Sequence, residues 1–585
     1  MDPSPLRSHA LAAVALAALL GLACGAWVIT HDATFVARDT AFTWLAAEHA
    51  ADAMLGRVAY ADGPLGWPLQ DAAANSDVVV AQGLLGLPIR SLDPLLQSDL
   101  VSLLGLFLTA LALHRVAHAL TGPGPHTWLA AVIGAFGPIQ MSHLQHINLV
   151  HHEWTALAAL ACGAGLQRRS PALTAAAGLF TAVSWTFGVY LGLHAAFAVV
   201  AVAGVAALFR LGDRRSWASL GLGLAGALAL ALALTGPWRD AADRYHVRVE
   251  AQELRDTSWH LGATLAPDPA VLLHAPVRAL WPFEPLPTQR TNPPNPGYTV
   301  TLLAGIGAIL AARRRLGWAW VAVAGLGLGA AALALGPDLI WLEPKPGWPG
   351  PWRIARWIPG LDGLRAPARW LALSFGCLGL FAAIGLRELA ARVGRARLPA
   401  LATVFALVLG ETPGPRVAPF ASATFEPVYA ELDAIQAEGA IYDEALRHDA
   451  DCGGRGGRAL RAAMFHQRPL IGGSYARRFS ALDATNRVAG SWPSPDAVAL
   501  FRASGVVAVL EHPPLQPLPD LPGVSCHEAE GHRICEVAGA TTRQPLPFRS
   551  RRIADAAEQR DPALRVGADD IPTERPRRRP NRGTP

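Results

Sequence analysis

The chain has 585 residues and a formal net charge of +5; 52% of its residues are hydrophobic, 16% are charged, and its mean hydropathy is +0.27. Soluble domains carry about a quarter charged residues, so a single soluble globular body is excluded. The basic residues are nearly all arginine, held in short loops and in the terminal run Arg575–Pro580, so no nucleic-acid partner is implied.

Apolar stretches recur through the first two-thirds of the chain, and most reach the roughly 20 residues that cross a bilayer as a helix. Residues 11–30, 189–209, 216–235 and 318–335 are the clearest. In lipid, a helix satisfies its own backbone hydrogen bonds. The expectation is an all-α polytopic membrane domain of about eleven transmembrane helices over residues 1–411. Residues 11–30 follow Arg7 as the core of a signal peptide would, and Leu22–Cys24 faintly suggests a lipoprotein box. The stretch is nevertheless long enough to span, and ten more follow, so it reads as a retained first helix.

Loop charge sets the expected orientation. Arg7 precedes helix one, Arg115 follows helix two, and Arg168 and Arg169 follow helix four. Arg210, Arg214 and Arg215, then Arg313, Arg314 and Arg315, and last Arg387, Arg392, Arg395 and Arg397 continue the alternation. By the positive-inside rule these turns and the N-terminus are cytoplasmic. The longer turns 31–77, 238–296 and 337–367 then face outward, with the C-terminal domain.

The outer loop 31–77 carries the first polar cluster. Over residues 40–55, Phe42, Leu45, Ala46, His49, Ala53 and Met54 share one helical face, and Glu48 and Asp52 another. That pattern predicts an amphipathic helix at the membrane surface, ended by Gly56. Asp39, at its start, reads equally as an N-cap or as a carboxylate placed to act as a base or metal ligand. Asp77 precedes the apolar run 78–89, which is too short to span and reads as re-entrant or interfacial.

The segment 141–154 holds His143, His146, His151, His152 and Glu153. His143 and His146 are spaced i, i+3, so they can share a helix face. The cluster has three readings: a divalent metal site, a substrate-facing polar group, or hydrogen bonding between helices. Farther on, Arg353, Arg356, Arg365 and Arg369 lie on the outer side against the positive-inside trend. Arginine binds phosphate bidentately, so they read either as lipid-phosphate contacts or as headgroup anchors beside the neighbouring tryptophans.

Cys24, Cys162 and Cys377 lie in apolar helices and read as packing residues. Cys526 and Cys535 flank the polar turn 528–532 and can close a hairpin disulfide in an oxidising compartment; Cys452 is left over. Helix-like runs at 427–438 and 494–503 lead to strand-like runs at 440–445 and 506–510. Residues 412–540 therefore read as a small extracytoplasmic α/β domain, and residues 541–585 as a disordered basic tail.

Four motifs follow one another between residues 32 and 370. They are Arg38-Asp39-Thr40 with Trp44, then Pro68 and Ser76-Asp77, then Ser142, His143 and His146 leading to Trp154, then Arg365, Pro367, Arg369 and Trp370. In this order they resemble the GT-C superfamily of membrane glycosyltransferases, and a large bacterial branch of it in particular. Arg38 stands where that branch more often has Gly, and Thr40 breaks the Asp-Glu pair of better-known members. The resemblance implies sugar transfer from a polyprenyl-phosphate sugar to an acceptor at the outer face of the bacterial inner membrane, with membrane lipid as a partner. Asp39 would be the general base. Arg38, Asp77, His143, His146 and Glu153 would hold substrate, or in part a divalent ion, and Arg365 and Arg369 would neutralise the leaving phosphate. No residue is assigned as a metal ligand. A non-catalytic scaffold of the same architecture and a lipid or polysaccharide transporter are the alternatives. The transporter reading lacks an internal repeat and mid-membrane polar sites, His194 excepted.

Overall fold

The computed structural model describes residues 33–34, 40–58, 60, 65–67, 77–92, 94–144, 146–244, 254–255, 258, 296–314, 317–339, 348–357, 364, 366–411, 418–419, 428, 431–432, 435, 437, 439–444, 463, 470–471, 480–513, 515 and 517–540. The expected first span, most of the turn 238–296 and the tail 541–585 lie outside the described residues, as do Cys24 and Cys452.

Strand β1 (Ala33–Thr34) precedes helix α1 (Thr40–Met54), strand β2 (Leu65–Trp67) and helix α2 (Val80–Gly86), which runs on into a 3-10 turn, Leu87–Ile89. The short apolar run expected at 78–89 is thus helical and well short of a span. It packs against α1. A side chain at Gly83 would collide with the Ala47 carbonyl, and one at Gly86 with the Trp44 ring, so these two glycines let the backbones approach. Phe42 and Leu45 of the expected apolar face are buried, and the contact with α2 covers a further strip beside them. Trp44, Ala47 and Ala51 are buried, one helical turn apart, while Met54 is 47% exposed and His49 half-buried.

Helices α3 (Pro94–Thr121), α4 (His126–Phe136), α5 (Pro138–Ser142), α6 (Glu153–Arg168), α7 (Pro171–Phe187), α8 (Val189–Leu208) and α9 (Arg214–Arg244) follow. The expected third helix is broken between α4 and α5. Gly137 is extended, and Pro138, which has no N–H to donate, starts a new helix. Helices α10 (Tyr298–Arg313) and α11 (Trp318–Ala334) lead to an antiparallel pair of short strands, β3 (Asp338–Leu339) and β4 (Trp348–Pro349). A single turn, α12 (Trp352–Ala355), precedes a 3-10 turn, Pro367–Trp370, which runs into α13 (Leu371–Arg392), followed by α14 (Arg397–Glu411).

Among the described residues four helices have the length and apolarity to cross a membrane: Leu96–Thr121, Val189–Leu208, Arg214–Pro237 and Pro367–Arg392. Shorter apolar helices, α7, α10, α11 and α14 among them, lie beside them. The segment Arg214–Pro237 is apolar yet mostly unburied, with Leu222 76% exposed. Such a surface is stable only against hydrocarbon, so the protein is embedded in a membrane. Contact between α7 and α9 is made through Gly178 and Gly223, whose backbones touch. Without a hydrophobic drive between helices in lipid, small residues give this close approach.

The C-terminal part holds β5 (Ala418–Pro419), β6 (Ala440–Asp443), β7 (Leu470–Ile471), helices α15 (Ser480–Ala489) and α16 (Pro495–Ser504), then β8 (Val506–Glu511), β9 (Val524–Ala529) and β10 (His532–Val537). The expected helix at 494–503 and strand at 506–510 are α16 and β8; most of 427–438 lies outside the described residues. Ser494 caps α16 by accepting the Ala497 N–H, and Gly505 ends it at φ +71°. One sheet runs in the order β2-β7-β6-β8-β10-β9, parallel through β2, β7, β6 and β8 and antiparallel beyond. Its core contains Tyr442, Trp492, Phe501 and Val509. Cys526 and Cys535 are disulfide-bonded across β9 and β10, while Cys162 and Cys377 are free and buried. The loop after α1 supplies this sheet's edge strand β2, and β1 pairs with β5. The first loop and the C-terminal domain therefore share one side of the helical bundle.

Candidate functional site

Between α7 and α8 the chain breaks at Gly188, which leaves the Phe187 carbonyl and the Val189 N–H without helical partners. Two side chains from the α2 region satisfy them. Asp77 accepts the Val189 N–H at 2.9 Å, its own neighbour Val78 N–H at 2.8 Å, and a hydrogen bond from Asn148. Gln82 donates to the Phe187 carbonyl at 2.6 Å and lies 3.3 Å from the Ile147 carbonyl. The start of α2, the turn Ile147–Leu149 and the head of α8 are thus fastened together. Helix α1 also touches that turn.

The histidines do not share a helix face as their spacing predicted. Helix α5 stops at Ser142, and His146 has φ −109° and ψ 84°, so the i, i+3 register is broken between them. Their rings still lie 5.8 Å apart, and His143 Nδ1 is 2.6 Å from the Ile139 carbonyl. Glu153 is buried and opens the first turn of α6, where the positive helix end favours a carboxylate. It is 2.8 Å from His151 Nδ1 and 3.2 Å from the Thr109 hydroxyl, which accepts the His152 N–H at 3.0 Å. Glu153 therefore ties α6 to α3.

The other wall of the site joins residues that the sequence named separately, His152, His194, Arg369 and Trp370, and adds Tyr190, which it did not. His152 stacks on His194 at 5.4 Å, and His194 meets the Trp370 ring edge-on at 4.7 Å. Burial, with His143 adding to it, pushes the His152 imidazole down to about 3, so it is neutral at physiological pH. Neither ring nitrogen of His194 has a hydrogen-bond partner among the described residues. The Arg369 guanidinium lies 4.6 Å over the Tyr190 ring, and the Tyr190 hydroxyl accepts the Ala366 N–H at 2.8 Å. Tyr190 and His194 stand i, i+4 at the start of an apolar helix, and polar residues in such a place were the available signal.

On α1, Arg90 grips Asp52 with two hydrogen bonds of 2.7 and 2.8 Å, and Arg57 adds a third at 2.8 Å. Glu48, expected on a solvent face beside Asp52, is half-buried, and its Oε2 has no hydrogen-bond partner among the described residues. Burial raises its carboxyl to about 7, with Arg90 pulling the other way. Hydrogen bonding by Arg90 holds Asp52 below the usual carboxylate range despite partial burial.

Of the residues the sequence singled out, Asp77, His143, His146, Glu153 and Arg369 are gathered around the heads of α6 and α8. Arg38, Asp39 and Arg365 lie outside the described residues. Helix α1 begins at Thr40, the residue after Asp39. Among the described residues no group of three or more His, Cys, Asp or Glu side chains is arranged to hold a metal ion.

No protein-family model and no curated protein sequence matches the chain. Solved structures do. A mutant of arabinofuranosyltransferase AftD from Mycobacteria matches at 16% identity and a TM-score of 0.41, over 78% of this chain and 36% of its own. This chain thus spans little more than a third of AftD. ArnT from Cupriavidus metallidurans bound to undecaprenyl phosphate matches at 12% identity and a TM-score of 0.47, over 93% of this chain and 100% of its own. Its apo form is similar at 12% identity and a TM-score of 0.45, over 91% and 99%.

Proposed function

We propose that the protein is a membrane glycosyltransferase of the GT-C type that moves a sugar from a polyprenyl-phosphate donor to an acceptor at the outer face of the inner membrane. In this reading the N-terminus is cytoplasmic and the C-terminal domain 412–540 lies outside. The acceptor hydroxyl attacks the anomeric carbon and its proton passes to Asp39. The bond from that carbon to the phosphate oxygen breaks, and the polyprenyl phosphate leaves with the electron pair. Arg365 and Arg369 neutralise its charge, while Arg38, His143 and His146 hold the sugar and phosphate.

One observation supports this division of roles above the others. Asp77 and Glu153, the described carboxylates of the motif set, are both committed to protein donors. That supports the reading in which Asp39, rather than either of these, is the base. A second candidate rests on Glu48, whose carboxyl at about 7 suits proton transfer at neutral pH.

The test is a transfer assay on the full chain in lipid, using a panel of radiolabelled polyprenyl-phosphate sugars with Asp39→Asn and Glu48→Gln beside the wild type. A fall of about 10²–10⁴-fold in Asp39→Asn alone, with an unchanged unfolding midpoint, is the expected result. A fall confined to Glu48→Gln moves the base to Glu48. Folded wild type that transfers from no donor overturns the enzyme reading.

A further inference from the structure

Beyond the heads of α6 and α8, a cavity of about 490 Å³ opens beside the β3–β4 pair. Leu254, Arg255, Asp338, Arg353, Arg356 and Trp357 line it. Its floor is fixed. Asp338, 1% exposed, accepts Arg255 Nε at 2.8 Å and pairs with Arg353, whose own Nε donates to the Pro337 carbonyl at 2.9 Å. Trp352, fully buried, pins the α12 turn to the apolar core of the helical bundle, in the same cluster as Trp370.

Charge and surface then point the same way. Among the described lining residues three guanidiniums face one carboxylate, an excess of positive charge, and Arg356 has no carboxylate partner among the described residues. Trp357, which lines the cavity, is 83% exposed, and Trp348 on β4 and Ile354 on α12 are 81% and 67% exposed. Large apolar side chains grouped this openly are costly against water. The β3–β4 pairing and the hydrogen bonds from Gly350 N–H to the Pro337 carbonyl and from Trp352 N–H to the Gly336 carbonyl bring their segment back to the end of apolar α11, a place for the boundary between hydrocarbon and water, where tryptophan is favoured. A free anion would have no use for that apolar rim, and a soluble protein partner would meet it only by leaving the bilayer.

We infer that this cavity is a headgroup site for a bilayer phospholipid: Arg356 and the Asp338-braced Arg353 and Arg255 hold its phosphodiester, while Trp348, Ile354 and Trp357 lie among the acyl chains. The site binds lipid without reacting with it and is independent of the donor reading above.

Native mass spectrometry of the full chain, titrated in neutral detergent with phosphatidylglycerol, tests it. Diacylglycerol, inorganic phosphate and undecaprenyl phosphate are the comparison arms. Wild type should retain one phosphatidylglycerol and no diacylglycerol, and Arg356→Gln should weaken retention at least about tenfold, the usual weight of a charge-assisted hydrogen bond. Trp357→Ser should weaken it as well, with an unchanged unfolding midpoint in both variants. Equal retention by wild type and both variants overturns the assignment. Displacement by millimolar inorganic phosphate makes it a soluble-anion site. Displacement by equimolar undecaprenyl phosphate makes it part of the donor site. Either displacement overturns the inference and leaves the glycosyltransferase proposal standing.

Discussion

The carboxylate of Asp77 holds the backbone N–H of Val189 at 2.9 Å, joining the first loop to the head of a membrane helix 112 residues farther along. The same carboxylate takes Asn148 and Val78. Hydrogen bonds to a charged acceptor contribute about 1.5–3 kcal/mol. Asp77→Ala should therefore cost about 2–3 kcal/mol in thermal unfolding of the solubilised chain, and Asp77→Asn less. If Asp77 instead serves only to grip substrate, the unfolding midpoint will not move and only transfer will fall.

Glu48 gives the protein a pH dependence of defined sign. Its folded carboxyl, at about 7, lies above the ordinary 4.5, so folding favours the neutral form. The resulting stability is complete below about pH 4.5 and is lost as pH rises through 7. Unfolding midpoints of wild type and Glu48→Gln, followed from pH 4.5 to 8, should diverge across that window, with the wild type losing ground. Asp52 acts in the opposite sense. Its folded carboxyl is lowered chiefly by the Arg90 hydrogen bond, so its contribution is present above 3.8 and is lost as pH falls further. The two windows do not overlap, and a flat difference curve from 4.5 to 8 would dismiss the buried Glu48.

Gly83 can be tested by size. Any Cβ there meets the Ala47 carbonyl, a backbone atom that cannot swing aside. Gly83→Ala should separate α1 from α2 at a cost of about 1–3 kcal/mol. The check is the unfolding midpoint together with proteolytic nicking between α1 and α2, which should quicken in the variant.

The bond between Cys526 and Cys535 closes a separation of 9 residues. Loop-closure entropy for so short a loop is worth about 2.5–3 kcal/mol. Cys526→Ser with Cys535→Ser should lower the stability of the C-terminal domain by that amount, read by hydrogen exchange of β8 and β10 in the full chain. Unchanged exchange would mean that the hairpin is held by its strand pairing alone.

Much of this architecture was legible in the chain. Apolar length located α8, α9, α11 and α14, because long runs without ionisable groups can stay folded in hydrocarbon only as helices. The pairing of Cys526 with Cys535 and the α16–β8 unit followed from spacing and caps. Burial of Phe42 and Leu45 on α1 followed as well; that of Trp44, Ala47 and Ala51 did not, because Gly83 and Gly86, 36 or more residues downstream of Ala47, bring α2 onto that side. Nor did the placing of His143 and His146: their i, i+3 spacing implies a helix, but α5 ends before both. His194 stood out as a mid-membrane polar residue, but its place in the site, and Tyr190 altogether, escaped notice because their partners, Trp370 and Arg369, come from a turn far along the sequence.

The pairing of β1 with β5 and of β2 with β7 bears on the order in which the protein is made. Residues 33–34 and 65–67 leave the ribosome first, yet their partner strands at 418–419 and 470–471 emerge only after the last membrane helix. Contacts between such distant segments form late, because closing so long a loop comes before any reward from pairing. The loop 31–77, which contains Asp39, must therefore wait for these partners through the insertion of every later helix. A chain cut after Glu411 would enter the membrane with its helices in place and leave that loop without its two strand partners.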